Sequence, residues 1–372
     1  MKIMYFIHAL DIGGAEMICT RYLVELKNRN IDVVLVVIAH RKTFLEEELK
    51  KIGVRIISIH PLKHKNIVCV LINNLYCRCI SLKSWWNKLI DEEKPDVIHI
   101  HTSQLNYFAP DIFPPDKMIY TFHGHVDRYM ILMKEKGRRY MYRYAKGGMK
   151  FFALSTKMNE DIKDTLSTRN VVYMPNGLNL SGIKSSAYCR KKVLSILGIP
   201  NDSFILGHVA RFHEVKNQER TVKIFQEVLK IKENSYLLFI GNYKNKWGAS
   251  VRKLVLELGI NDRVKFLGVR DDATKIMPTF NAMVLPSFTE SFSLAMVEAQ
   301  ANNVRSVASM AVPETVICND NCFRLSLEES DEKWAYYLTG DFKEKHEYRI
   351  EDFEMNNVVD RMIDEYKKSA RI

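Results

Sequence analysis

Short apolar runs alternate with helix-period segments from one end of this chain to the other, and this alternation limits its fold more than any other feature. In the first half the runs fall at 3–7, 33–38, 55–59, 97–101, 118–122, 151–154 and 171–174. In the second half they fall at 204–209, 236–240, 264–267, 282–285 and 305–308, with helical patterns at 217–231, 248–258, 271–279 and 293–302. Apolar strands separated by helices require crossover connections, and hence a parallel sheet covered on both faces. A chain of 372 residues exceeds one core of this kind, so two such domains are expected. Residues 181–192 are rich in Ser and Lys without periodicity and read as the linker between them. Residues 353–368 read as a charged amphipathic helix.

Composition excludes several classes. Hydrophobic content of 47% with 27% charged residues is that of an ordinary globular protein. No apolar run approaches the ~20 residues of a membrane span. The first seven residues read as a strand running into a Gly turn, not as a signal peptide. The seven cysteines are odd in number and scattered, and Cys77-Arg-Cys79 and Cys318-x3-Cys322 lack zinc-site spacing. Free thiols in a reducing cytoplasm are expected. The net charge of +11 sits entirely in residues 1–190, the remainder being balanced. That half therefore calls for an anionic partner, membrane lipid or nucleic acid. Two segments concentrate the basic charge. Residues 66–92 read as one long helix whose end carries Lys83, Trp85, Trp86 and Lys88. Residues 128–150 hold eight basic residues and one acid, interleaved with Tyr129, Tyr140, Tyr142 and Tyr144. A basic, aromatic, apolar surface suits an anionic membrane. A solvated basic edge or a groove for an anionic acceptor fits the same residues, while no nucleic-acid motif accompanies them.

The chemistry-bearing stretches lie where strands give way to helices. In 282–299 an apolar run is broken by Pro286-Ser287, a polar turn follows, and a helical pattern begins near Ser293. A helix start at the carboxyl edge of a parallel sheet suits a phosphate, and Glu290 and Glu298 add acceptors for hydroxyls. Gly13-Gly14 stand at the first strand-to-helix turn, where backbone N–H groups can approach a phosphate. This is not the G-x-G-x-x-G dinucleotide fingerprint. His123 follows a strand and precedes Gly124, a position that faces a crevice and could donate to a sugar hydroxyl or an oxyanion. Arg211 and Lys216 bracket a loop at a helix start, two cations suited to a diphosphate. Each has a plainer reading on its own: a capped surface helix, a tight turn, a capping His, a surface ion pair.

Taken together, and in this order, Gly-Gly-Ala-Glu at 13–16, Thr-Phe-His-Gly at 121–124, Pro-Asn-Gly at 175–177, Arg211 with Lys216, Phe-Leu-Gly at 266–268 and Glu290-x7-Glu298 resemble the retaining GT-B glycosyltransferases of family 4, and among them the bacterial enzymes of capsular and exopolysaccharide synthesis. The resemblance covers nearly the whole chain. It implies an α/β GT-B fold of two Rossmann-like domains facing a central cleft: 1–185 on the acceptor and membrane side, 192–350 binding the nucleotide sugar, and 351–372 returning to the first domain. It implies no required metal and no cofactor. By the same resemblance Arg211 and Lys216 bind the diphosphate and stabilise the leaving group, and Glu290 holds hydroxyls of the donor sugar. Ser291, Phe292 and Ser293 line the same turn, Phe292 and Ser293 offering backbone N–H groups. Glu298 binds the ribose, Gly13 and Gly14 approach the phosphates, and His123 reaches the donor sugar. The chain departs from the pattern at Ser291 and Ser293, where the family has Gly, at Asn302-Asn303, where it tends to Gly-Pro, and at Gly241-Asn242-Tyr243, where it has Gly-x-Gly. The implied activity is transfer of one sugar from a UDP-sugar, with GDP-sugar as second choice, to a lipid-linked oligosaccharide, by a cytoplasmic protein at the inner face of the cell membrane. A nucleotide-sugar isomerase or epimerase of the same fold, or an inactive nucleotide-sugar-binding protein, are the alternatives.

Overall fold

The computed structural model describes all residues except 12, 42, 63–66, 109–110 and 186–187. Two compact units are present, Met1–Gly177 with Asn356–Ile372, and Leu178–Met355.

The first unit is built on a seven-stranded sheet: β1 (Lys2–Ile7), β2 (Asp32–Val37), β3 (Arg55–Ser58), β4 (Val97–Ile100), β5 (Met118–Thr121), β6 (Lys150–Ala153) and β7 (Val171–Tyr173). All pairings are parallel, in the order β3-β2-β1-β4-β5-β6-β7. β1, β2, β4 and β5 are buried on both faces, which is why their sequences are continuous apolar runs. The helix Met355–Ala370 brings the end of the chain onto this sheet. Tyr366, fully buried, bonds through its hydroxyl to Tyr5 Oη and to His99 Nδ1, both at 2.7 Å. Glu365 meets Lys150 Nζ at 2.7 Å.

The single helix expected over 66–92 is two helices, Ile67–Cys79 and Leu82–Glu93, residue 66 lying outside the described residues. Ser81 causes the break: its backbone is extended and its side chain accepts from Ser84 N, the N-cap role that Ser favours. Trp86, expected in an aromatic-basic surface, is fully buried, packs edge-on against Phe6 and Phe108, and donates Nε1–H to Tyr107 O at 2.7 Å. Lys83 and Lys88 are exposed. The 128–150 segment also folds as two helices, Val126–Leu132 and Glu135–Lys146, before Lys150 enters β6. Tyr144 and Met141 point into the core, while Ile131, Leu132 and Tyr142 are exposed.

The second unit holds β8 (Phe204–Val209), β9 (Ser235–Ile240), β10 (Val264–Phe266), β11 (Ala282–Leu285), β12 (Arg305–Ser309) and β13 (Cys322–Leu325), all parallel in the order β10-β9-β8-β11-β12-β13. Its core gathers Leu206, Phe225, Phe239, Val284 and Trp334. Two expectations are corrected here, and one strand is added. β13 extends the sheet by a strand that Cys-Phe-Arg-Leu, four residues long, hardly announces. The expected linker 181–192 carries the helix Leu180–Ser185 and the start of the helix Arg190–Ile196, residues 186–187 lying outside the described ones. The Arg190 guanidinium pins that second helix by donating to the Thr279 and Ser203 carbonyls and to Asn281 Oδ1. The helix expected over 271–279 is one turn, Ala273–Ile276, followed by a 3-10 turn that contains Pro278.

Candidate active site

The strand order of the second unit reverses between β8 and β11, which pair through Ala282–Leu206 and Met283–Gly207. Chain direction diverges there, so the loops leaving the carboxyl ends of these two strands border the crevice in which open parallel sheets bind ligands. The first loop carries Arg211 and Lys216, the second Glu290, Ser291, Phe292 and Ser293.

Lys216 ends the 3-10 turn Glu214–Lys216 and extends Nζ to Glu290 Oε1 at 2.7 Å, closing 74 residues of sequence. Glu290 is only 7% exposed. Ser287 Oγ donates to the same oxygen at 2.9 Å, and the Ser287 carbonyl accepts from Ser309 Oγ at 2.6 Å. Phe288 N–H donates to Val215 O at 2.8 Å, so the two loops are stitched together by backbone as well as by charge. Their sequence positions pair Lys216 with Arg211 as two cations for a diphosphate. In the structure Lys216 is matched to a buried carboxylate, and Arg211 is exposed, with its carbonyl holding Gln218 Nε2 at 2.9 Å. Behind them His208 is fully buried, bonds Thr221 Oγ1 at 2.8 Å, and is pushed down to about 3 by burial, with Lys216 adding to the effect.

Phe292 anchors the turn. Its ring is 2% exposed and meets Phe353 edge-on at 5.6 Å. Ser293 caps the helix Leu294–Ala301 with φ 82° and ψ 81°, a left-handed backbone that L side chains rarely adopt. This is one of the positions where the expected pattern has Gly, so the backbone path that Gly would favour is kept at the cost of strain. Glu298, half-buried, lies in the second turn of the same helix. Gly241, after β9, has φ 147°, and a Cβ there would strike the Ala210 carbonyl. Tyr243, in place of the expected second Gly, packs against Phe212 and Phe266 under the Arg252 guanidinium.

In the first unit the order reverses between β1 and β4. Gly13 caps the helix Gly14–Asn28, which follows β1. Among the described residues nothing lies within 4 Å of a Cβ on Gly14, whereas one on Gly13 would strike the Glu16 carboxylate folded back over the helix start. His123 follows β5 and is half-buried. Its Nε2 lies 2.9 Å from His101 Nδ1, at the end of β4, and 3.9 Å from Cys19 Sγ on the helix. His101 stacks on Tyr5 and lies 3.9 Å, ring centre to ring centre, from His99. His99 in turn bonds Thr121 Oγ1 at 2.8 Å through Nε2. Burial pushes His123 down to about 4 and both other histidines well below the usual range, so all three rings are neutral near pH 7. His101, Cys19 and His99 were not picked out from the sequence. The signal was the alternation Ile98-His99-Ile100-His101, which puts both histidines on one face of β4, but a buried strand end is easily read as core.

Residues 12–181 match Glycosyltransferase Family 4, and residues 190–349 match Glycosyl transferases group 1. The chain belongs to the family 4 glycosyltransferases. Among its relatives, the putative glycosyltransferase EpsF of Bacillus subtilis is 28% identical over 46% of this chain, a match that spans only 45% of that protein. The capsular polysaccharide biosynthesis glycosyltransferase CapH of Staphylococcus aureus is 23% identical over 83% of this chain and 81% of its own length. A UDP-Gal:alpha-D-GlcNAc-diphosphoundecaprenol alpha-1,3-galactosyltransferase of Escherichia coli is 24% identical over 60% of this chain and 59% of its own. The crystal structure of a glycosyltransferase from Rickettsia africae superposes with a TM-score of 0.74 at 16% identity, covering 99% of this chain and 98% of that one. The two parallel six- and seven-stranded α/β sheets are thus those of the GT-B fold of this family.

Proposed function

We propose that this family 4 glycosyltransferase moves one sugar, with retention, from a UDP-sugar to a lipid-linked oligosaccharide in the synthesis of a cell-surface polysaccharide. The observation that carries the reading is the Lys216–Glu290 pair at the β8–β11 reversal. A carboxylate with one oxygen held by Lys216 and Ser287 presents a fixed acceptor to hydroxyls of a donor sugar. Lys216 keeps a cation at the same point, and Arg211 supplies a second, exposed one. Charge developing on a departing diphosphate is stabilised by such cations and by the start of the helix Leu294–Ala301. Glu298 is the proposed ribose contact and His123 a sugar contact, neutral and able to share a hydrogen bond at working pH. Gly13 and Gly14 are the proposed phosphate contacts of the first unit, for which the Glu16 carboxylate has to swing off the helix start. No metal is required in this scheme.

The nucleotide and the acceptor are drawn from the relatives: the E. coli protein is named for a UDP-sugar and a diphosphate-linked lipid, and CapH for capsule synthesis. The basic surface of the first unit supports a lipid-borne acceptor, because the helix Glu135–Lys146 carries Lys136, Arg139, Arg143 and Lys146 on exposed positions. Ile131 and Leu132 stand 74% and 67% exposed in the turn before it. Cations around an exposed apolar tip are what binds an anionic bilayer reversibly at a cytoplasmic face. No helix among the described residues is long and apolar enough to cross a membrane. The test of the reading is nucleoside diphosphate release from UDP- and GDP-sugars with lipid extract, comparing the wild type with Glu290→Gln. Release that needs lipid and disappears in the variant supports it, and undiminished release by the variant refutes the site.

A further inference from the structure

We propose that Cys19, His101 and His123 form a binding site for a soft divalent cation of the zinc class, and that an ion bound there inhibits the enzyme by taking His123 from the sugar. The second half of this proposal rests on the role given to His123 above. The three residues come from three elements, the helix Gly14–Asn28 and the ends of β4 and β5, and are brought together by the β1-β4-β5 order of the sheet. One ligand atom from each lies within 4.8 Å of the others.

The spacing is close to what zinc demands. Zn–S of about 2.3 Å and Zn–N of about 2.0–2.1 Å in a tetrahedron place two nitrogens about 3.3 Å apart and sulfur about 3.6 Å from nitrogen. The imidazole nitrogens are 2.9 Å apart, and Cys19 Sγ is 3.9 Å from His123 Nε2. For these two edges ligation asks for shifts of a few tenths of an ångström; the third, Cys19 to His101, lies within 4.8 Å and closes toward about 3.6 Å. The ion replaces the bond between the two imidazoles and the contact of Cys19 Sγ with His123 Nε2. His101 Nε2 is buried without a partner among the described residues, so no bond at that atom resists the shift. The His101 ring plane is already set by stacking on Tyr5 and by contact with His99. The cation takes the place of the proton shared by the two rings, which moves to the far nitrogen of the ring that carried it so that both imidazoles bind neutral, and the Cys19 thiol releases its own proton to solvent as the S–Zn bond forms. Glu16 lies one turn before Cys19 on the same helical face, and its charge acts on the thiol, which adds negative potential for a cation. His123 is half-buried while Cys19 and His101 are buried, so the ion would enter from the His123 side and keep its fourth position toward solvent. Three ligands and one open position are the pattern of zinc sites that exchange ligands.

Cobalt reports the thiolate directly, through a sulfur-to-metal charge-transfer band. Titrating the whole protein with Co2+ should give that band at one ion per chain. It should be absent in Cys19→Ser and His101→Gln, each checked for folding by thermal melting. Zn2+ should displace the cobalt, and equimolar Zn2+ should cut wild-type donor turnover by on the order of tenfold or more while leaving Cys19→Ser at its own zinc-free rate. Absence of the band, its survival in Cys19→Ser, or full turnover with Zn2+ bound overturns the proposal. If no donor turns over even without metal, the proposed transfer falls and so does inhibition, whereas the cobalt spectrum still decides the site.

Discussion

At the scale of the residue, the second unit concentrates its chemistry in a carboxylate and an ammonium that the fold brings together. The carboxylate is the more deeply buried of the two, 6% exposed against 19%, so it does not tolerate loss of the ammonium, which reaches solvent more readily. Lys216→Ala should destabilise the protein by about 3 kcal/mol, measured by denaturant unfolding, because Glu290 is left buried and unpaired. Glu290→Gln keeps shape and hydrogen-bonding capacity but removes charge, and should lower transfer by about 100-fold or more with little change in melting temperature. Ser293→Gly should raise stability by about 1 kcal/mol, since Gly adopts the backbone at φ 82° without the Cβ clash. His208 has a folded value of about 3 against about 6.5 for an ordinary imidazole. As pH falls, the unfolded chain takes up this proton first, so stability is complete above about 6.5 and is lost progressively toward about 3. His208→Gln, which can keep a bond to Thr221, should flatten that part of the stability–pH curve. Much of this was legible in the residues themselves, since Glu290, Lys216 and Phe292 were visible as members of a turn. The Lys216–Glu290 pairing was not, because nothing in either local stretch says which residue 74 positions away will face it.

At the scale of the element, every strand but β13 is readable to within a residue or two, because a strand buried on both faces has to be a continuous apolar run. Misreadings fell where local pattern is overruled by a cap or a distant bond. Ser81 divides a helical pattern by capping, and Arg190 holds a helix in a stretch whose composition resembles a linker. The helix Met355–Ala370 shows the reverse case, a strong amphipathic pattern whose meaning lies in what it covers. Its Tyr366 hydroxyl serves both Tyr5 and His99, so Tyr366→Phe leaves two buried polar groups without it and should cost about 1–3 kcal/mol in denaturant unfolding. A cost near zero would mean that the buried network adds nothing to the stability of the first unit.

At the scale of the whole molecule, the +11 charge lies wholly in residues 1–190, and the account assigns it to a membrane surface. Sedimentation with vesicles should show binding that needs anionic lipid, falls with salt, and weakens several-fold in the Ile131→Ser/Leu132→Ser double variant. Binding to neutral vesicles of equal strength would contradict it. The central claim, though, is sugar transfer, and the measurement that tests it most directly is a donor panel: purified protein, UDP- and GDP-sugars, with and without lipid extract, read as nucleoside diphosphate release. The account predicts release from a UDP-sugar, stimulated by lipid and lost in Glu290→Gln. Binding of donor without release, or conversion of the donor to another nucleotide sugar with no acceptor present, would contradict it.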